Sequence, residues 1–280
     1  MVEQAIHFND GDVYERTMGV WSRLAGELFL DWLNPRPGMR WIDVGCGSGA
    51  FTELLVQRGA SAETQGIDPS EAQLAFARTR PAARGVAFLQ GDAMALPFPH
   101  DRFDAAVMAL VIFFVLDPAK GVAEMARVVR PGGAVAAYAW DMLGGGFPWE
   151  PIQVEMRALG ITPPLPPSVG ASRMAALRDL WACAGLEAIE TCEITVQRTF
   201  ADFEDFWTTT TMAASIRPTF ATMPPDDADQ LKARVRARLP TDAGGRVMYP
   251  ARANAIKGRV PGEICEGQAA VKADAMGATG

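Results

Sequence analysis

The chain has 280 residues, 49% of them hydrophobic, and a net charge of −7, which suits one domain with insertions built on a single substantial core. The acid excess works against tight non-specific attraction to nucleic-acid phosphates. The longest apolar run, Ala105 to Leu116, is too short for a membrane-crossing helix, and MVEQAIHFNDGD lacks the basic start and apolar middle of a secretory signal. A cytoplasmic protein is therefore expected, with no membrane span, no nucleic-acid partner and a small or neutral molecule to act on. Cys46, Cys183, Cys192 and Cys265 form no CxxC pair, and His7 and His100 lie far apart, so neither a metal site nor a disulfide framework is expected.

In chain order, residues 1–34 read as an N-terminal helical cover and 35–142 as the core. Within the core, apolar runs predict strands at Met39–Val44, Glu63–Ile67, Val86–Gln90, Phe103–Ala109 and Ala134–Tyr138. They alternate with amphipathic stretches, the pattern of a parallel sheet with crossover helices. One helix runs from Gly49 to a stop at Gly59. A second starts at Ser70, whose hydroxyl is expected to cap it while Gln73 bonds back to the Ser70 amide. A third has Asp117 as cap and Pro118 as first residue, followed by a turn at Arg130-Pro131-Gly132-Gly133. Glycine and proline in Gly144–Gly146 and Pro163–Pro167 predict an irregular insertion over 143–171. The core continues over 172–200, with a helix face of Met174, Leu177, Trp181 and Ala184 and a strand over Glu187–Val196. A cap insertion spans 201–245. Its helix is acidic at the start (Asp226, Asp227) and basic at the end (Arg236, Arg238), and the arginines read as a solvated face. The last strand lies within 246–260, near Arg246–Ala253, and 261–280 is expected to be mobile because it holds too little apolar surface to offset ordering entropy.

The strongest local signal is Trp41-Ile42-Asp43-Val44-Gly45-Cys46-Gly47-Ser48-Gly49, a strand whose glycines open into a helix. Glycines let the backbone pass tightly around a ligand, and a helix start presents free amides. Asp68 closes the second strand and Asp92 follows the third. In an open parallel sheet the carboxyl ends of the strands line one crevice, so Asp43, Asp68 and Asp92 are expected to converge. An adenosine ligand offers two ribose hydroxyls to an acceptor such as Asp68 and an exocyclic amine to Asp92.

With these residues the chain resembles the class I S-adenosylmethionine-dependent methyltransferases, especially the small-molecule branch that includes quinone-modifying enzymes. The resemblance runs from about Tyr14 to Ala253. It implies an α/β, Rossmann-like methyltransferase fold: a mostly parallel seven-stranded sheet with helices on both faces, an antiparallel last strand and inserted cap segments. It also implies S-adenosylmethionine as cofactor and S-adenosylhomocysteine as product. On that pattern Asp43, Gly45, Gly47 and Gly49 stand where the family holds the methionine part, Asp68 where it holds the ribose, and Asp92 and Ala93 where it contacts adenine. Cys46, Pro69, Met94 and Ala109 fall in the same lining. Tyr14, Met18, Gly19 and Trp21 resemble the element covering the cofactor, and Tyr14 and Trp21 are carried as cofactor-binding candidates.

Met108 to Phe114 offers no Asn-Pro-Pro-Tyr-like polar cluster, the family's mark of amino-group methylation on bases or glutamine. Phe113, Phe114, Trp140, Trp149, Phe206 and Trp207 are instead candidates for an apolar acceptor pocket. Methyl transfer from a sulfonium is an in-line displacement with a good leaving group, so a base is not compulsory. His100 and Asp141 are the bases to test. Two other readings stand beside the methyltransferase. A nicotinamide oxidoreductase shares the glycine loop, but its fingerprint is GxGxxG, whereas Gly45-x-Gly47-x-Gly49 follows an aspartate here and Asp92 would have no task. A protein that binds S-adenosylmethionine without turnover would keep the same pocket. The sequence names neither the acceptor nor the oligomeric state.

Overall fold

The computed structural model describes residues 13, 15–58, 61–213 and 215–262. Seven strands form one sheet: β1 (Met39–Val44), β2 (Ser61–Asp68), β3 (Ala87–Gln90), β4 (Phe103–Ala109), β5 (Val129–Trp140), β6 (Glu187–Phe200) and β7 (Val247–Arg259). Their spatial order is β3-β2-β1-β4-β5-β7-β6. β1 to β5 pair in parallel, and β7 runs antiparallel to both β5 and β6. This is the predicted sheet, antiparallel last strand included. The strand order reverses between β1 and β4, the position where open parallel sheets leave a crevice at their carboxyl ends.

The helices are α1 (Val20–Leu33), α2 (Ala50–Gln57), α3 (Glu71–Ala77), α4 (Pro118–Val128), α5 (Glu150–Ala158), α6 (Met174–Cys183), α7 (Phe203–Thr211), α8 (Arg217–Thr222) and α9 (Pro225–Arg238), preceded by a π-helical turn at Glu15–Gly19. Packing follows from small residues at close approaches. Gly26 of α1 faces Leu54 of α2, where a Cβ would come within 2.9 Å. Gly258 of β7 makes room for Trp181 of α6, whose indole donates to the Val135 carbonyl at 3.0 Å. A larger residue at either glycine would push a helix off the sheet.

Helix starts match the sequence reading in part. Asp117 accepts from the Lys120 amide at 3.1 Å with Pro118 first in α4, and the Ser70 hydroxyl accepts from the Gln73 amide at 3.4 Å. The Ser70 amide, expected to pair with Gln73, instead donates to Asp68 at 2.9 Å. A carboxylate held at the strand tip is the stronger acceptor for that amide. The stop expected at Gly59 lies outside the described residues.

Three expectations need correction. Arg130–Gly133 is not a turn ahead of β5 but an irregularity inside it: the register jumps between Phe103↔Val129 and Ala105↔Ala134, and Gly132 has φ +73°. Pairing with β7 carries β5 to Trp140, opposite Ala253. The 143–171 insertion holds a helix, α5, with Ile152 and Met156 buried beneath it; its flanking glycines and prolines hid that spacing. Finally, the α9 arginines are not simply solvated, because Arg234 and Arg238 each donate at 2.7 Å to Glu155 of α5, joining the two insertions. The tail expected to be mobile falls outside the described residues from 263 onward. Among the described residues no helix is long and apolar enough to cross a membrane.

Candidate active site

A cavity of about 750 Å³ opens at the carboxyl ends of the central strands, and Asp43, Asp68 and Asp92 all line it. Asp43 is the last side chain but one of β1 and is fully buried. Its Oδ2 accepts from Thr52 of α2 at 2.6 Å, while Oδ1 has no hydrogen-bond partner among the described residues. Burial, opposed by the Thr52 bond and reinforced by Asp68, lifts its pKa to about 7. A buried carboxyl oxygen without a partner, on the wall of a cavity, fits a ligand that brings a cationic donor such as the amine of a methionine moiety.

Asp68 ends β2, and each of its oxygens takes a backbone amide at 2.9 Å, Oδ2 from Gly47 and Oδ1 from Ser70. Burial raises its pKa and these two amides lower it, with burial the larger. Each oxygen keeps lone-pair capacity for a further donor, which suits a pair of ribose hydroxyls. Asp92 lies in the turn after β3 with Oδ1 accepting from the Met94 amide at 2.8 Å.

The glycine loop shapes the cavity more than it donates to it. The amides of Gly45 and Cys46 reach the Ile67 carbonyl at 2.7 and 3.0 Å, and that of Gly49 reaches the Cys46 carbonyl at 2.8 Å. With Gly47 held by Asp68, the free amides expected of this loop are largely used by the fold itself. Gly45 has φ +76°, and a Cβ there would stand 2.4 Å from Val111. Only glycine passes there without strain.

The far end of the cavity is apolar. It is formed by Ala109 to Val111 and Phe114 to Leu116 after β4, and by Leu165, Pro166 and Pro167 from the first insertion. Ser168 pins the proline segment, its amide donating to the Phe113 carbonyl at 3.0 Å. Leu110 holds a left-handed backbone, φ +62°, with its amide on the Tyr138 carbonyl at 2.8 Å. A branched residue rarely adopts that conformation unless its surroundings impose it, and such residues cluster at working sites.

A family model described as a methyltransferase domain matches residues 42–137, the stretch that supplies both the glycine loop and the three aspartates. Residues 42–137 of this chain are a methyltransferase domain. Demethylmenaquinone methyltransferase of Thermus thermophilus is 38% identical over 115 residues, covering 40% of this chain and 50% of that protein. Ubiquinone/menaquinone biosynthesis C-methyltransferase UbiE of Roseobacter denitrificans is 34% identical over 125 residues, 43% of this chain and 50% of that one. The chain thus spans about half the length of these curated relatives. The crystal structure of the YcgJ protein of Bacillus subtilis shares the fold, with a TM-score of 0.57 at 18% identity over 85% of this chain and 98% of that one.

In the methyltransferase domain, the predicted cofactor residues Asp43, Gly45, Cys46, Gly47, Asp68, Pro69, Asp92, Ala93, Met94 and Ala109 all line the cavity. Gly49 does not; it is the left-handed residue before α2, packed on Ala77. Trp21 is not in the lining either, being fully buried against Phe200, and the neighbouring Ser22 takes its place. Tyr14 lies outside the described residues. Of the six aromatic residues proposed for the acceptor pocket only Phe114 reaches the cavity. Phe113, Trp140, Trp149 and Phe206 are core residues with 0 to 3% exposure, and Trp207 stacks on Phe203. Large aromatics fill the packed interior between sheet and insertions first. His100 is an exposed loop residue. Asp141 is bound to Arg252 at 2.5 Å and to the Gly144 amide at 3.0 Å. Neither candidate base lines the cavity.

The lining residues missed from sequence are chiefly Gln73, Leu110, Leu116, Tyr138 and Leu165–Pro167. Gln73 carried a signal, standing one turn into the helix that follows Asp68. The Leu110 conformation and the return of the proline segment carried none.

Proposed function

We propose that this protein transfers the S-adenosylmethionine methyl group to a small, largely apolar acceptor of the quinol type. The observation that carries the reading is a single cavity with three strand-tip carboxyls at one end and apolar side chains at the other. The names of the relatives support a quinol-like acceptor.

Bound S-adenosylmethionine supplies an electrophilic methyl carbon on a sulfonium leaving group. Asp43 would hold the amine of its methionine part, Asp68 the ribose hydroxyls, and Asp92 with the Ala93–Met94 backbone the adenine edge. Each uses an acceptor or donor that the fold already orients. Three carboxyls on one wall favour a cationic ligand over its neutral product, which aids product release. At the other end, Phe114, Val115, Leu116, Leu165 and the prolines would align the acceptor, and orientation of this kind contributes roughly 7–11 kcal/mol in favourable cases. Residues 109–111, 114–116 and 165–167 carry no titratable side chain. This end suits an acceptor that brings its own nucleophile, as a phenolate or an electron-rich ring carbon does, with the Tyr138 phenol and the Cys46 thiol the titratable groups of the lining outside the three carboxyls.

Calorimetric titration with S-adenosylmethionine, S-adenosylhomocysteine and NAD, followed by labelled methyl transfer to demethylated quinols, tests the reading. Binding of both adenosyl ligands but not NAD, with label in a quinol, is expected. Preference for NAD, or cofactor binding with label appearing only in polar amines, would overturn it.

A further inference from the structure

Arg80 follows α3 and carries no motif of its own, yet three parts of the fold converge on its guanidinium. Nε donates to the Ser48 carbonyl of the glycine loop at 2.5 Å and Nη1 to Glu53 of α2 at 2.8 Å. Nη2 donates to the Ser48 hydroxyl at 3.3 Å and to Glu15, the first residue of the π-helical turn. Ser48 closes the triangle by donating from its hydroxyl to Glu15 at 3.0 Å. The Arg80 side chain is only 11% exposed, so these charge-assisted bonds are little screened by solvent. The aliphatic stem also lies where a Cβ on Gly49 would meet it, 3.4 Å away.

A second arginine grips the same turn from the sheet. Arg198 of β6 donates to the Thr17 carbonyl at 3.0 Å and the Arg16 carbonyl at 3.3 Å, with its guanidinium over Phe200. Since Ser48 and Ser22 both line the cavity, the turn Glu15–Gly19 runs along its edge, tied to the glycine loop on one side and to the sheet on the other. π-helical turns of this sort are uncommon and concentrate at functional sites.

We propose that Arg80 is a positioning residue that couples the shape of the glycine loop to the placement of the Glu15–Gly19 turn beside the cofactor. The proposal rests on the methyltransferase reading of the cavity. Ser48 and Arg80 hold Glu15 against the glycine loop, so a ligand packed on the loop steadies the turn as well. Coupling is reciprocal, so loosening the turn weakens the ligand.

The test uses the full chain, S-adenosylhomocysteine calorimetry and hydrogen exchange of residues 15–22 with and without that ligand. Glu15→Ala removes one partner from a residue outside the cavity lining. It is expected to weaken the ligand by about tenfold and to abolish ligand-dependent protection of 15–22, with the melting temperature little changed. Arg80→Ala is expected to weaken the ligand further, and Arg80→Lys to restore part of the loss. The double variant Glu15→Ala/Arg80→Ala should bind no worse than Arg80→Ala alone, because the two residues act as one unit. Arg23→Ala, which breaks an exposed pair on α1, should bind as the wild type does. Glu15→Ala with wild-type affinity, or losses that multiply in the double variant, overturns the coupling while leaving the cavity reading intact. Wild-type protein that fails to bind S-adenosylhomocysteine overturns both.

Discussion

The two ends of the cavity are built in opposite ways. At the end proposed for the cofactor the three carboxyls are delivered by strand tips or the turn after one, within residues 43–92, and Asp68 and Asp92 are held there by backbone amides of Gly47, Ser70 and Met94. At the acceptor end the lining is assembled from two stretches more than forty residues apart, 109–116 and 165–167, which meet through Ser168 and Phe113. The first end is local and polar, the second non-local and apolar. A fixed ligand is met by fixed short-range geometry, whereas a variable partner is met by an insertion that can change without disturbing the sheet.

Substitutions should separate the two ends, and Gly45→Val should have the largest effect. It combines a forbidden φ with a Cβ 2.4 Å from Val111, strain and overlap together of about 3 kcal/mol. Loss of S-adenosylhomocysteine affinity beyond about 100-fold is expected by calorimetry. Asp68→Ala follows, at about 10- to 100-fold, the worth of hydrogen bonds to a charged acceptor. Affinity that survives this change would detach the ribose from Asp68.

The pH dependence sharpens the comparison next. The Asp43 pKa, lifted from 3.8 to about 7 chiefly by burial, means that the empty folded protein holds a proton the unfolded chain has already lost across that window. Stability therefore falls as pH rises from about 4 to 7. A cationic amine instead favours the ionised form, so affinity should weaken by up to about tenfold per unit as pH drops below 7. Asp43→Asn should flatten both trends and raise the melting temperature at pH 8 while weakening the ligand. A pH-independent wild-type affinity would sink the assignment of the amine to Asp43.

Smaller effects belong to the other end. Leu116 is 73% exposed, so Leu116→Ser should leave the melting temperature and cofactor affinity close to wild type and raise the acceptor KM several-fold, on the order of one lost apolar contact. The smallest effect is expected for His100→Ala, an exposed loop change that should alter neither parameter.

The same division explains what could be read from sequence. The strands β1 and β4, the cap of α4 and the three aspartates follow from periodicity and from strand-tip geometry, which a short window contains. The boundaries of β5 and β7 do not, because their length is set by pairing with each other. Trp140, Trp149 and Phe206 read as pocket residues only until the insertions are folded against the sheet, where they become core. The proline segment gave a correct signal of irregular chain, but its return to Phe113 is a tertiary event that no local spacing encodes. Arg80 was silent for the same reason, since its partners lie at residues 15, 48 and 53.

The most direct test is a crystal structure with S-adenosylhomocysteine bound. It should show the ribose hydroxyls on Asp68, the adenine beside Asp92 and Met94, and the amine facing Asp43 Oδ1, with the sulfur pointing toward Phe114 and Leu116. A ligand seated elsewhere, or with its sulfur turned away from the apolar end, would contradict a single site shared by cofactor and acceptor.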